Sequence, residues 1–148
     1  MSGVSPIIFA GMARDFADAA RREAAVEPLG ASMPAYFLAA RAIEIGLKSY
    51  LLARGTPESA LRRISHDLGK ALDAAQQAGL GDLVAVPADT DRDVRWINEY
   101  YHRKDLEYPT LGLKSYPPLE ALLVFAELLI EVIESVLRQW ARDQVVGG

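Results

Sequence analysis

The stretch PAYFLAARAIEIGLKSYLLAR, residues 34–54, decides how the chain folds. Phe37, Leu38, Ile43, Ile45, Leu47, Leu51 and Leu52 surround most of a helical circumference, which marks a helix buried at the centre of its domain. Its interior charges are Arg41, Glu44 and Lys48. At about 100° per residue these three fall within roughly 60° of one line. On so apolar a helix that stripe must face solvent, a groove or a second subunit. The plain expectation is an ion-pair ladder with i,i+3 and i,i+4 spacing on one exposed face. The sharper one places Lys48 at the edge of an anion-binding cleft, with Glu44 holding it.

Four further helices and a short one follow from the same reading. The first runs from Ser5 to Ala25, with Ile8, Met12 and Phe16 at i, i+4 and i+8, and Ser5-Pro6 suits an N-cap and first turn. Thr56-Pro57-Glu58 starts a short helix ending near Arg63. Ser65 is placed to cap the next, which reaches Gln77, with Gly79 ending it in the left-handed conformation. Thr90 and Asp93 have capping-box spacing for a helix through His102, with Val94, Ile97 and Tyr101 facing inward. Pro117-Pro118 opens the last helix, which continues to about Arg142. The connection Arg103–Tyr116 is long enough to be a functional loop. The fold class is therefore all-α: an antiparallel helical bundle of four long helices plus a short one and a C-terminal apolar helix. It forms one domain over residues 1–148, with its core at about 5–142.

Composition narrows the function. The 148 residues make one domain, and 51% apolar with 24% charged residues is a globular balance. There is no cysteine and there are two histidines, so thiolate chemistry is excluded, and neither a metal site nor a cofactor is expected. A net charge of −4 excludes a protein that coats nucleic acid over its whole surface; contact with a phosphate backbone needs a local cationic patch. Pro6–Ala13 lacks the basic flank of a leader, and Leu119–Leu137 is interrupted by Glu120, Glu127, Glu131 and Glu134, so no membrane association is expected and the location is cytoplasmic.

Two more polar lines carry candidate chemistry. On the last helix Glu120, Glu127, Glu131, Glu134 and Arg138 share one line, opposite a wide surface of Leu122, Val124, Phe125, Leu128, Leu129, Val132, Ile133 and Val136. That surface suits either a central helix or a homodimer that buries the excess. On the helix before it Arg95, Asn98 and His102 stand at i, i+3 and i+7, followed by Arg103 and Lys104 beside Tyr100 and Tyr101. An arginine there could hold a phosphate with the imidazole close enough to move a proton, or the line could be a solvated face. His66 and Asp67 read as the first turn of their helix, with capping as the favoured role.

Taken in order, these elements resemble the HEPN family of prokaryotic helical-bundle domains. The residues that carry the resemblance are Ala39 to Leu52, with Glu44 and Leu47-Lys48; His66-Asp67-Leu68; Ala75 to Leu80; and Asn98 to Pro109, a tyrosine-rich helix running into Tyr108-Pro109. Glu107 stands where many relatives carry arginine. The resemblance implies a compact domain that is commonly a homodimer. It also implies RNA or nucleotide binding, in some relatives as a toxin paired with a nucleotidyltransferase antitoxin or within a defence system. Relatives that cut RNA do so without metal, through arginine and histidine at a spacing that Arg95 and His102 meet. In that reading His102 assists proton transfer, Arg95 steadies the phosphate and Asn98 orients one of them, while Glu44, Lys48, His66, Asp67, Tyr101, Arg103 and Lys104 belong to the nucleotide or RNA site. Three functions are thus in view: RNA or nucleotide binding, which leads; a metal-independent endoribonuclease; and a non-catalytic dimeric scaffold.

Overall fold

The computed structural model describes residues 4–26, 32–106 and 115–147. Six α-helices and one 3-10 turn account for most of them, and no strand occurs among the described residues. The helices are α1 (Pro6–Val26), α2 (Met33–Ala53), α3 (Glu58–Ile64), α4 (Leu68–Gln77), α5 (Ala88–Tyr101) and α6 (Leu119–Gly147), with the 3-10 turn at Leu80–Asp82. The all-α helical bundle read from the sequence is the observed architecture. Among the described residues no helix is long and apolar enough to cross a membrane.

As its apolar circumference requires, α2 lies at the centre and packs on α1, α4, α5 and α6. The cross-links fix the directions. Ser49 Oγ donates to the Pro6 carbonyl while Arg41 lies over the Phe16 ring, so α1 and α2 are antiparallel. Arg14 pairs with Glu134, and Arg21 with Glu127 and Glu120, so α1 and α6 are antiparallel too. Tyr36 Oη donates to the Pro117 carbonyl at one end of α2, and Gly46 meets Leu129 and Ile133 further along, so α2 and α6 run in the same direction. The segment through α3, α4 and α5 makes the return crossing that this parallel pair needs.

Three local expectations are corrected. The buried face of α1 consists of Pro6, Ala10, Ala13, Ala17 and Ala20, whereas Ile7, Ile8 and Met12 are exposed. Small side chains let α1 approach α2 closely, and this outweighs the burial of the larger residues. Ser65 does not cap α4; Asp67 does, its carboxylate accepting the Lys70 amide at 3.0 Å. Thr90 and Asp93 form no capping box, because α5 begins earlier, at Ala88 after Pro87, and Asp93 is buried and paired with Arg92. Gly79 does end its helix in the left-handed region, with φ 95°.

The polar line of α6 is largely an interhelical seam. Glu120, Glu127 and Glu134 are the partners of Arg21 and Arg14 on α1. The residues opposite serve mainly the core: Leu122, Phe125, Leu129 and Ile133 are buried, while Val124 and Leu128 stay exposed. A central helix accounts for most of that surface. Glu107, Tyr108 and Pro109 lie outside the described residues.

Candidate functional site

The charged stripe of α2 is not an exposed ladder. Glu44 is 1% exposed and Lys48 8%, and Arg41 is half-buried. A carboxylate taken out of water needs nearly all its lone pairs occupied, and donors reach it from α2 itself and from two other segments. Lys48 Nζ donates to Glu44 Oε2 at 2.7 Å, one helical turn along. Tyr101 Oη, at the end of α5, donates to Glu44 Oε1. His66, in the α3–α4 connection, sets its Nδ1 3.0 Å from the same oxygen. Arg41 Nη1 stands 3.6 Å from it. Burial alone would raise the Glu44 carboxyl, but Lys48, Tyr101 and His66 outweigh it and hold the group below its ordinary value. The Tyr101 hydroxyl is driven up by burial and by that carboxylate, so it remains a donor.

These contacts select the histidine tautomer. Glu44 Oε1 can only accept, so His66 Nδ1 carries the hydrogen. Arg41 Nη1, 3.3 Å from the same nitrogen, is then an electrostatic neighbour and not its donor. The Nε2 lone pair is left on the far edge of a ring that is 48% exposed. The buried carboxylate thus fixes the orientation of an accessible imidazole.

The backbone that presents His66 is strained. Ser65 has φ 54° and ψ −131°, values suited to the first central position of a type II′ turn, where glycine is the usual occupant. The turn is closed by the Asp67 amide donating to the Ile64 carbonyl at 3.2 Å. It is clamped from below by Lys48 Nζ on the Ser65 carbonyl at 2.5 Å. Lys48 thus joins the buried carboxylate to the turn that carries the histidine. Ser65→Gly should relieve the strain and raise stability by about 0.5–1 kcal/mol, net of the entropy glycine loses on folding. Urea denaturation measures this, and a loss of stability would mean that the turn is not under strain.

Above the cluster lies a cavity of about 360 Å³ between α1, α2 and α3, lined by Arg41, Glu44, Lys48, Glu58, Arg62 and His66 with an apolar side of Phe9, Ile45 and Leu61. Arg62, paired with Glu58 on α3, carried no signal in the sequence, because a lone arginine on a short helix has no periodic context.

The other candidates divide into two groups. Asn98 clamps α4 to α5: its Oδ1 accepts the Leu68 amide at 2.9 Å, and its Nδ2 donates to Asp67 Oδ1 at 3.0 Å. Burial would raise the Asp67 carboxyl, but the Lys70 amide, Asn98 and His102 outweigh it and lower the group. Both side chains are thereby committed to local structure. His66 precedes that cap and is not in the first turn of α4. Arg95 belongs to a different surface, held by Asp91 at 2.7 Å and Asp73 at 2.7 Å, and its pKa is raised by those two carboxylates. Its neighbour Arg92 is paired with Asp89 and Asp93. His102, Arg103 and Lys104 are exposed in the turn that follows α5, and none of the three lines the cavity. Glu44, Lys48, His66 and Tyr101 therefore converge on one place, and Arg95 and His102 do not line it. Among the described residues no group of three histidine, aspartate or glutamate side chains is placed to hold a metal ion.

Comparison with known protein families, curated proteins and solved structures finds no match to this chain.

Proposed function

We propose that this domain binds RNA or a nucleotide through phosphate, in the cavity lined by Arg41, Lys48, Arg62 and His66, as the HEPN resemblance suggests. The observation that carries this reading is the buried Glu44 carboxylate with a cation or donor on every side. Lys48 neutralises it, and Arg41 and His66 stand beside that pair at the mouth, where their N–H groups can face an incoming anion. The apolar side formed by Phe9, Ile45 and Leu61 suits the flat face of a base or a sugar. An endoribonuclease built on Arg95 and His102 gains no comparable support, because the guanidinium already satisfies two carboxylates in an aspartate-rich setting that repels phosphate. A nucleotidyltransferase partner and a toxin–antitoxin or defence role come with the resemblance alone, and a homodimer with the resemblance and the exposed Val124 and Leu128 of α6.

Arg41→Gln should weaken the binding of a labelled RNA oligonucleotide or of AMP by about tenfold or more. Because Lys48, Tyr101 and His66 still satisfy Glu44, its thermal midpoint should stay close to that of the parent protein. Fluorescence polarisation with parallel thermal melts measures both. Unchanged affinity in a folded variant would remove the cavity from consideration.

A further inference from the structure

We infer that the outward side of α6 is an interface on which a second copy of this chain packs its own α6 antiparallel, with Ser135 opposite Ser135. This involves no ligand and stands apart from the phosphate-binding reading; it gives the homodimer suggested above a face, a direction and a register.

The charges that α1 leaves unanswered are the first ground. Glu120, Glu127 and Glu134 pair with Arg21 and Arg14, whereas Glu131 and Arg138 form no ion pair among the described residues. The charge of Glu131 reaches Arg14, but that guanidinium keeps its contact with Glu134. On the same side of the helix Val124 is 43% exposed and Leu128 47%, and Ser135, Arg142 and Val146 are exposed as well. At about 100° per residue these seven fall within roughly 80° of arc, opposite the buried Leu129 and Ile133. From Val124 to Arg142 they follow one another at alternating intervals of four and three, the seam spacing of paired helices.

Self-complementarity is the second ground. In a two-fold contact, if residue i of one copy meets residue j of the other, then j also meets i. Glu131 lies one turn before Ser135 and Arg138 one turn after it. An antiparallel copy centred on Ser135 therefore sets Glu131 of each chain against Arg138 of the other, twice by symmetry. A parallel copy would set Glu131 on Glu131 and Arg138 on Arg138, so charge decides the direction. In the antiparallel register Val124 meets Val146 of the second copy. Leu128 lies under the aliphatic stem of the second copy's Arg142, a side chain whose head donates to Gln139 at 3.0 Å. The small Ser135 at the centre lets the two backbones approach. Asp143, the remaining acid at this end, accepts from Gln139 and lines the hollow beside Trp140 on the other flank of α6. A contact one helix wide and about 33 Å long is smaller than a standard interface, so the dimer should dissociate in the micromolar range.

The test uses the full chain without ligand. Sedimentation equilibrium should show a monomer–dimer equilibrium, and Leu128→Asp, folded by its thermal midpoint, should weaken it by about tenfold or more. Glu131→Arg and Arg138→Glu should each weaken it, and the two together in one chain should restore it, because the swapped charges again meet their opposites. The chain has no cysteine, so Ser135→Cys supplies a single thiol. With diamide as oxidant, Ser135→Cys should form a disulfide-linked dimer readily. Leu128→Cys, about 21 Å from its own copy in this register, should not, yet it should cross-link when mixed with Arg142→Cys. A monomer at every concentration would overturn the inference and leave the face to a different protein. A dimer indifferent to both charge reversals, or one in which Leu128→Cys links to itself faster than Ser135→Cys, would overturn the face and register proposed. None of these results bears on phosphate binding.

Discussion

Glu44→Ala should lose about 3–5 kcal/mol of folding stability in urea denaturation, the range expected when one partner of a buried ion pair is removed. The change strands Lys48, which is 8% exposed, and leaves the Tyr101 hydroxyl without its acceptor. It also loosens the Ser65–His66 turn, since Lys48 bridges the carboxylate and the Ser65 carbonyl. Replacing both charges, in Glu44→Leu with Lys48→Met, should cost much less than the sum of the single changes, because no buried ion is left unpaired. The acid limb follows from the same geometry. Glu44 is held below its ordinary value of 4.5 in the folded chain. Its contribution is therefore complete above that value and is lost as pH falls through the lower folded value. Thermal midpoints measured between about pH 3 and pH 7 should fall less steeply at the acid end in the double variant than in the parent. A loss below about 1 kcal/mol in Glu44→Ala would mean that water reaches the carboxylate.

Leu129→Ala should cost about 2–5 kcal/mol, and Gly46→Ala should recover part of it. Leu129 is fully buried, and a Cβ added at Gly46 would come within 3.2 Å of its Cδ2 and 3.4 Å of Ile133 Cδ1. In the parent chain Gly46→Ala combines a helix-propensity gain of about 1 kcal/mol with crowding of similar size, so little net change is expected. Once Leu129 is shortened the crowding disappears, and the alanine methyl enters the new space with its propensity gain intact. The two substitutions should therefore be non-additive by about 1 kcal/mol in the stabilising direction. Strict additivity in denaturation experiments would show that α2 and α6 do not depend on the glycine for their close approach.

Much of the candidate site could be read from residues 34–54 and little of it elsewhere. Glu44 and Lys48 stood out because charges are expensive on a helix so apolar, and a stripe at that spacing required an explanation. That the stripe is buried could not be read, since its compensation comes from Tyr101, 57 residues along, and from His66, 22 residues along. The line Arg95, Asn98, His102 was equally visible, yet its members separate: Asn98 ties α5 to the start of α4, and Arg95 answers Asp73 and Asp91. Side chains that share a helical edge in projection acquire different partners once neighbouring helices cross that edge at different heights. The alanine face of α1 was missed for a related reason. Hydrophobic spacing favours the large residues Ile8 and Met12, whereas close helix contact favours small ones.

Local physics in the chain alone determined the helices, the centrality of α2 and the left-handed glycine at position 79, because periodicity, apolar content and turn chemistry act over a few residues. Only the tertiary structure decided that α2 and α6 run parallel, that Ser65 takes a positive φ, and that Glu44 becomes the buried hub of four side chains. Those outcomes depend on which donors meet a desolvated carboxylate, and that meeting is set by packing between segments far apart in sequence.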